Sequence, residues 1–430
     1  MRMRKLTLLL FICSISVSAN TFVKGSPATT NNDDSCDIAV LPAATLLLPY
    51  FEVDFNSPQT TAMTTLFTIV NTVQQPQIAH VTIWTDWGFP VLDFNLFLTG
   101  YDVQAINLYD IFGPRGTIAP PYGTTNEIET GLRSLDNDAN PNFIAASAAN
   151  CAQLPGPIPV RILNDMRTAV TTGIYDYSCG RNVTIGGKHR NAAGYVTIDV
   201  LSDCTLTLPT QPDYYKELLY DNVLTGDYMW ISPNSTTGNY AGANPLVHIR
   251  AIPEGGPAGV VTATELPRTF YGQYNPPANQ AADRRQPLPS TFAARFIQGG
   301  PGAFNTHYVI WREGLTGANA ACNDYARNGS SEMSVRSVIR FDEHENPTTL
   351  ASSCLPLYCP NLTLPATSST ETGAALFPLI SNSGDLGGWT SFDLSHSAAN
   401  RSQNWVVVSM SAEGRYSVAF DALALSNGCQ

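Results

Sequence analysis

The chain has 430 residues, of which 13% are charged, and 35 acidic residues outnumber 23 basic ones to give a formal net charge of −12. This acidity excludes a general attraction for nucleic acid or for anionic lipid surfaces. The 32 glycines and 30 prolines, together with 10% aromatic residues, favour a turn-rich all-β protein over a helical or a disordered one.

The N-terminus has the pattern of a secretory signal peptide over residues 1–19. Arg2, Arg4 and Lys5 precede an apolar run and a small-residue cleavage site. We therefore expect export to the extracellular space, the cell surface or the periplasm. The mature chain would begin with a polar, loose leader over residues 20–35. It contains no further apolar run of about 18 residues, so we expect no membrane span.

A β-strand pattern dominates the early part of the mature chain, from Leu46 to Phe112. Apolar residues recur at every second position, as at Phe51, Val53 and Phe55, which is the period of a half-buried strand. Turn residues separate these runs, which is typical of an antiparallel sandwich. The same pattern predicts later strands over residues 194–201, 222–231, 246–252, 292–297, 307–311, 334–341, 405–410 and 416–423.

These patterns predict an all-β fold of two antiparallel sandwich units, immunoglobulin-like or jelly-roll-like, with long loops and few short helices. We expect residues 36–205 to form the first unit and C-terminal strands within 375–430 to complete it. Residues 206–374 would form a second β-rich unit. The Gly- and Pro-rich residues 113–160 are expected to make an excursion over the first sandwich.

The cysteines predict a disulfide framework. One of the nine leaves with the signal peptide, and an even number in an exported protein indicates up to four disulfides. The eight are Cys36, Cys151, Cys179, Cys204, Cys322, Cys354, Cys359 and Cys429. Their connectivity stays open, although Cys36–Cys429 would join the two ends of the mature chain and Cys179–Cys204 would close a compact segment. Paired spacings of the zinc-binding type are absent.

One loop has oxygen ligands at alternate positions, namely Asp136, Asp138 and Asn140. Calcium binds such Asp/Asn patterns, so a calcium ion is the one cofactor we consider. The EF-hand sequence is not satisfied, since Pro141 stands where that loop needs glycine. The alternative is a solvated turn rich in Asp and Asn.

Two further groups are candidate ligand-binding residues. Trp84 and Trp87 lie in the first strand block, where exposed aromatic rings would stack on a sugar or dock a partner. The alternative is that the 113–160 excursion covers this face and makes it a second core. Arg250 and Glu254, close to the charged segment 283–285, would bind an anionic group, or would tie a loop to a sheet.

Local signatures of catalysis are missing. The sequence contains no GxSxG elbow, P-loop or dinucleotide fingerprint. The run Asp342-Glu343-His344-Glu345 lacks the second histidine that a metalloprotease helix needs, because residue 348 is threonine. A pair of carboxylates for glycoside hydrolysis needs no local motif and stays open.

Several sequence blocks resemble a family of uncharacterised exported bacterial proteins. The resemblance would cover most of the mature chain and implies no activity and no site residues. The blocks are LPYFEVDF, HVTIWTDWGFPVLDFNLFLTGYDVQ, GYVTIDV, NPLVHIRAIPEGG, DRRQPLPSTFAARFIQGG, RFDEHENP and WVVVSMSAEGRYSVAFDA.

The sequence therefore favours an exported, non-enzymatic structural or adhesion protein of the extracellular space or cell surface. Self-assembly is one version, and its partner would be a second copy or another surface protein. The alternative is a secreted protein that binds or cleaves an extracellular glycan. A calcium-stabilised scaffold is compatible with either function.

Overall fold

A computed structural model describes most of the chain between residues 38 and 425. The described residues are 38–86, 88–116, 132–134, 158–175, 183–205, 207–211, 214–231, 243–255, 266, 269–270, 283–301, 304–312, 333–334, 336–351, 363–364, 367–370, 386–395, 403–412 and 416–425. The predicted signal peptide and leader lie outside them.

Antiparallel strands make up most of the described chain, with two α-helices and one 3₁₀ turn. The first half contains β1 Thr45–Val53, β2 Thr64–Asn71, β3 Gln77–Thr85, β4 Pro90–Leu98, β5 Val103–Asn107, α1 Leu108–Phe112, β6 Leu132–Ser134, α2 Val160–Thr172, β7 Ile174–Tyr175, β8 Val183–Thr184, β9 Ala192–Leu201, the 3₁₀ turn Tyr214–Lys216, β10 Leu224–Thr225, β11 Asp227–Ile231, β12 Ala243–Pro245 and β13 Val247–Ile249. The second half contains β14 Thr291–Ile297, β15 Phe304–Arg312, β16 Met333–Ser334, β17 Ser337–Asp342, β18 Pro347–Ala351, β19 Thr363–Leu364, β20 Thr367–Thr370, β21 Gly387–Asp393, β22 Asn404–Ala412, β23 Tyr416–Asp421 and β24 Leu423–Ala424.

The strands form four main sheets, which we number I to IV in the order in which they pack. In sheet I, β2 pairs with β5 on one edge and with β10 and β11 on the other, and β12 extends the sheet beyond β11. Sheet II has the order β13-β1-β9-β3-β4-β6. Sheet III is β20-β15-β22-β23, and sheet IV is β18-β17-β21-β14-β24. The predicted all-β fold of packed antiparallel sheets is therefore confirmed.

The first core lies between sheets I and II. Along β3, Val81 and Ile83 point into it, as Phe67 and Ile69 do from β2. Helix α2 packs over β3, β4 and β9 on the same side of sheet II. The helix ends at Gly173, whose left-handed backbone (φ 66°) lets its N–H bond the carbonyl of Ala169. A Cβ at residue 173 would lie 1.9 Å from a carbonyl oxygen of the next loop, so only glycine fits.

The second core covers the opposite face of sheet II. Trp84 and Tyr195 of sheet II belong to the same buried cluster as Trp311 of sheet III, and Trp311 meets Tyr195 edge-on at 5.9 Å. Tyr308, three residues before Trp311 in β15, points the other way and packs edge-on against Phe392 of sheet IV. Sheet II is therefore buried on both faces, with sheet I on one face and sheet III on the other, and sheet IV packs on the far side of sheet III. Sheets I and III also touch each other, where β12 meets β23.

The strand pairing departs from the predicted division of the chain. Strands β10 to β13, which follow residue 205, complete sheets I and II. Strand β22 pairs along the whole length of β15, and β21 pairs with β14 and β17, so the C-terminal strands build sheets III and IV. An alternating strand fits either sandwich by its pattern alone, which is why the sequence does not choose its partner.

One cysteine falls among the described residues. Cys204, which follows β9, is disulfide-bonded. The other seven cysteines of the predicted mature chain lie outside the described residues, so the suggested Cys36–Cys429 and Cys179–Cys204 pairs stay predictions. The rest of the framework stays a prediction.

Asp421, at the end of β23, gives a pH-dependent test of the packing of sheets I and III. Burial raises its pKa to about 6, although the Trp405 Nε1–H donates a bond of 3.0 Å to its carboxylate. Because the folded pKa lies above the ordinary value, the protein loses stability as pH rises through about 4 to 6. We expect Asp421→Asn to be more stable than the wild type at pH 7, by at most about 3 kcal/mol.

The same comparison at pH 4 should show almost no difference in the free energy of unfolding, measured by urea denaturation. Asp342→Asn is the matched control, and we expect it to change the stability at pH 7 in the opposite direction. Hydrogen bonds from Asn346 and His344 lower the pKa of Asp342, so this variant should be less stable than the wild type at pH 7. An Asp421→Asn variant that is less stable than the wild type at pH 7 would contradict the burial argument.

Candidate functional site

One exposed aromatic and aliphatic surface is the outer face of sheet IV. We define the sheet IV face by Ala293, Arg295, Ile297, Ile339, Phe341, Trp389 and Leu423. Their strand neighbours Phe292, Ala294 and Phe296 are buried and point toward sheet III. Strand alternation therefore separates an inner face that fills the core from an outer face that meets solvent.

A stacked ring pair stands at the centre of this face. Trp389 of β21 and Phe341 of β17 are directly opposite in register, and their rings stack at 4.4 Å with an interplanar angle of 12°. Gly388 makes this approach possible, since a Cβ there would lie 2.0 Å from the carbonyl oxygen of Phe341. The Trp389 side chain is still 38% exposed, so the pair presents a flat aromatic surface.

Aliphatic side chains and one cation surround the rings. Leu423 is 69% exposed and Ile297 is 38% exposed. Arg295 is in register with Trp389, is exposed, and places its guanidinium 5.4 Å from the ring centroid of Phe420. Exposed apolar side chains gathered on one sheet face are typical of a surface that meets another molecule.

A second group of titratable and polar side chains, of the types that catalytic sites use, lies at the end of β3, next to β1. His189 Nε2 lies 2.9 Å from Asp86 Oδ2, and the Gly187 N–H donates to Asp86 Oδ1 at 2.8 Å. Asn191 donates to Glu52 at 2.6 Å. A Cβ at residue 187 would lie 2.6 Å from Asp86 Oδ2, so a side chain there would displace this carboxylate. These contacts hold the 183–191 segment on sheets that are already packed, and a catalytic arrangement does not follow from them.

The His189–Asp86 pair predicts a pH-dependent contribution to stability. Burial lowers the pKa of His189, but the hydrogen bond and charge of Asp86, with the charge of Glu52, outweigh it and the pKa is raised. A raised pKa gives stability that is present below about pH 6.5 and is lost as pH rises through the folded pKa. We expect His189→Gln to be destabilised more at pH 5.5 than at pH 8.5, by thermal unfolding. An equal loss of thermal stability at pH 5.5 and at pH 8.5 would contradict this prediction.

A buried polar network crosses the face of sheet II that packs away from sheet I. Arg285 Nη1 donates to Asp199 at 3.2 Å, and its Nη2 and Nε donate to the two oxygens of Asp283 at 2.8 and 3.1 Å. Asp199 also accepts bonds from the Tyr214 hydroxyl at 2.8 Å and from the Thr45 hydroxyl. The pKa of Arg285 is raised because the two carboxylates outweigh its burial. All five side chains are buried, so the network stabilises the fold and offers no open site.

The predicted aromatic site takes a different form in the structure. Trp84 is fully buried, its ring stacks on Tyr195 at 5.6 Å, and its Nε1–H donates to the Thr197 hydroxyl at 2.9 Å. It offers no ring face to solvent, and the face on which it lies is a second core. The same buried cluster contains Trp311 of sheet III. The predicted cover by residues 113–160 stays a prediction, because most of those residues lie outside the described ranges. Trp87 lies outside the described residues.

The structure brings the predicted Arg250–Glu254 segment beside residues 283–285. The Ile252 N–H donates to the carbonyl of Arg284, and the Arg284 guanidinium returns bonds to the carbonyls of Pro253 and Gly255. Glu254 accepts a bond of 3.1 Å from the N–H of Asn222, and both Arg250 and Glu254 are buried. These contacts tie the loop to the sheets. Binding of an anion here stays a prediction.

The predicted calcium ligands Asp136, Asp138 and Asn140 lie outside the described residues. Within the described ranges, no three or more His, Cys, Asp or Glu side chains are grouped so that they would hold a metal ion. Nor does any helix in that part of the chain have the length and apolar character to cross a membrane.

Comparison with known proteins adds nothing to this geometry, because no family model, curated protein or solved structure matches the chain. The resemblance to exported bacterial proteins stays a prediction. Sequence reasoning missed the sheet IV face. The alternation of Trp389, Ser391 and Asp393 with Thr390 and Phe392 was the available signal.

Proposed function

We propose that the chain is an exported, non-enzymatic structural or adhesion protein of the extracellular space or cell surface. It binds a second copy or another surface protein through the sheet IV face. The observation that carries this proposal is the stacked Trp389–Phe341 pair with the exposed side chains of Ile297 and Leu423 on the same face, on a protein that is otherwise acidic. Burial of such a surface supplies the driving force of most protein association.

The four-layer architecture supports the same proposal. Sheet II is buried on both faces, and its polar residues pair with side chains far away in the sequence, as Asp199 does with Arg285. A rigid body of this kind suits a protein that bears load or presents a surface, because its exposed face keeps one shape when a partner binds.

The test is the mass of the mature protein in solution, purified under oxidising conditions and measured by light scattering with electron microscopy of the same sample. We expect closed oligomers or filaments for the wild type, and monomers for Trp389→Lys/Leu423→Lys. Val160→Lys changes an equally exposed apolar residue on α2 and should assemble like the wild type. Assembly of the Trp389→Lys/Leu423→Lys variant to the same extent as the wild type would reject this face as the docking surface.

A carbohydrate-binding role is the second candidate, and the exposed ring of Trp389 favours it. A flat indole supported from behind by a second ring is the kind of surface on which sugars stack. The test is tryptophan fluorescence during titration with a panel of glycans. Trp389→Ala should abolish any response, whereas a response that survives this substitution would remove the assignment.

A further inference from the structure

We propose that the partner of the sheet IV face is the outer face of sheet I on a second copy of this chain, so that copies join head to tail. This inference rests on the proposed self-association and names its geometry. The two surfaces are different, and they belong to the two outermost layers of the same molecule. A contact between unlike faces leaves one free face at each end and therefore propagates.

The outer face of sheet I is a second exposed apolar surface. We define the sheet I face by Leu66, Thr68, Val70, Val103, Ala105, Asp227 and Met229. Val103 is 59% exposed and stands opposite Val70, while Met229 stands opposite Leu66. The intervening residues Phe67, Ile69 and Ile106 fill the first core. Alternation thus gives sheet I an apolar stripe on its outer face, half-buried along β2 and exposed along β5.

Opposite charges on the two faces favour their pairing with each other over pairing with themselves. The sheet IV face carries Arg295, which is exposed and lies among apolar residues. The sheet I face carries the exposed Asp227, whose carboxylate accepts a hydrogen bond of 2.6 Å from the Thr68 hydroxyl. Contact between two sheet IV faces would place two copies of Arg295 in one interface without Asp227, and contact between two sheet I faces would place two copies of Asp227 in one interface without Arg295. Like charges across an interface disfavour both.

The location of the two faces also suits a chain of copies. Sheet I packs on one side of sheet II, and sheets III and IV are stacked on the other side. A copy bound at the sheet I face therefore leaves the sheet IV face of the same molecule accessible. The assembly grows by adding copies of one sequence, and no second protein is needed.

The test uses two variants, each of which blocks one face. Trp389→Lys/Leu423→Lys blocks the sheet IV face, and Val103→Lys/Ala105→Lys blocks the sheet I face at exposed positions of edge strand β5, where lysine is tolerated. Circular dichroism checks that both remain folded. We expect each variant alone to be monomeric by light scattering. An equimolar mixture should form a dimer and stop there, because the one unblocked face of each meets its complement.

Assembly of the Val103→Lys/Ala105→Lys variant on its own would overturn the head-to-tail geometry, and the proposed function would stand with two sheet IV faces in contact. Assembly of the Trp389→Lys/Leu423→Lys variant on its own would overturn both. A wild type that is monomeric at every concentration would also overturn the inference.

A charge swap provides an independent measurement. Arg295→Asp and Asp227→Arg should each raise the concentration needed for half-assembly by about tenfold, since each places like charges in the contact. The double variant should recover most of the wild-type value. A double variant that assembles no better than either single one would show that Arg295 and Asp227 do not meet, and would overturn the pairing of these two faces.

Discussion

Arg285→Met is expected to lower the free energy of unfolding by about 3–5 kcal/mol, because it leaves two buried carboxylates without their cation. Arg285 is 2% exposed, and Asp199 and Asp283 are no more exposed than that. Its guanidinium donates to both of them, with two bonds to Asp283. Methionine fills much of the volume of arginine, so the lower free energy of unfolding would come from the unpaired carboxylates and not from a cavity.

Urea denaturation at pH 7 measures this loss, and Arg336→Met is the matched control. Arg336 pairs with Asp393 at 3.4 Å, but its side chain is about half exposed. Exposed pairs of this kind contribute about 0–1 kcal/mol. If Arg285→Met lowers the free energy of unfolding no more than Arg336→Met does, the buried ion pairs of Arg285 do not stabilise the fold as proposed.

Trp84→Ala is the second large effect, with an expected loss of about 3–5 kcal/mol in the free energy of unfolding. The indole is fully buried between sheets II and III, stacks on Tyr195 and donates to Thr197. Its removal leaves a cavity that the rigid strands on either side cannot close, and it leaves the Thr197 hydroxyl without its donor.

Trp389→Ala is the control for the same chemical change at a partly exposed site. The indole of Trp389 packs on Phe341 on one side only, so we expect it to cost about 1 kcal/mol or less. Thermal and urea unfolding of both variants give the comparison. Equal losses would contradict the assignment of Trp84 to the core and of Trp389 to the surface. Trp84→Ala should also lack any specific effect on ligand binding beyond its effect on folding.

The sequence predicts the strands better than their partners. The alternation of Ala79, Val81 and Ile83 along β3 correctly identifies the residues that face the first core. The same pattern marks His80, Thr82 and Trp84 as a mixed face, and mixed composition suggests exposure. The face is buried because its polar side chains find partners on neighbouring strands, such as Asn95 of β4 for His80 and Thr197 of β9 for Trp84. The two-residue alternation of apolar side chains carries no information about hydrogen-bond partners on other strands.

The sheet IV face escaped sequence reasoning for a different physical reason. Strand β21 begins with Gly387 and Gly388, and consecutive glycines normally count against a strand. Here Gly388 allows β17 and β21 to approach where a side chain would meet the carbonyl of Phe341. The stacking of Trp389 on Phe341 depends on two strands that are separated by more than forty residues, so no local pattern reveals it.

Footprinting of Trp389 tests the docking of the sheet IV face most directly. Hydroxyl radicals oxidise exposed side chains, and mass spectrometry would compare the mature protein when dispersed and when assembled. We expect oxidation of Trp389 and Leu423 to fall several-fold on assembly, while Val160 stays equally reactive and the buried Trp84 stays protected in both samples. Equal oxidation of Trp389 in the dispersed and the assembled protein would contradict the proposed docking surface.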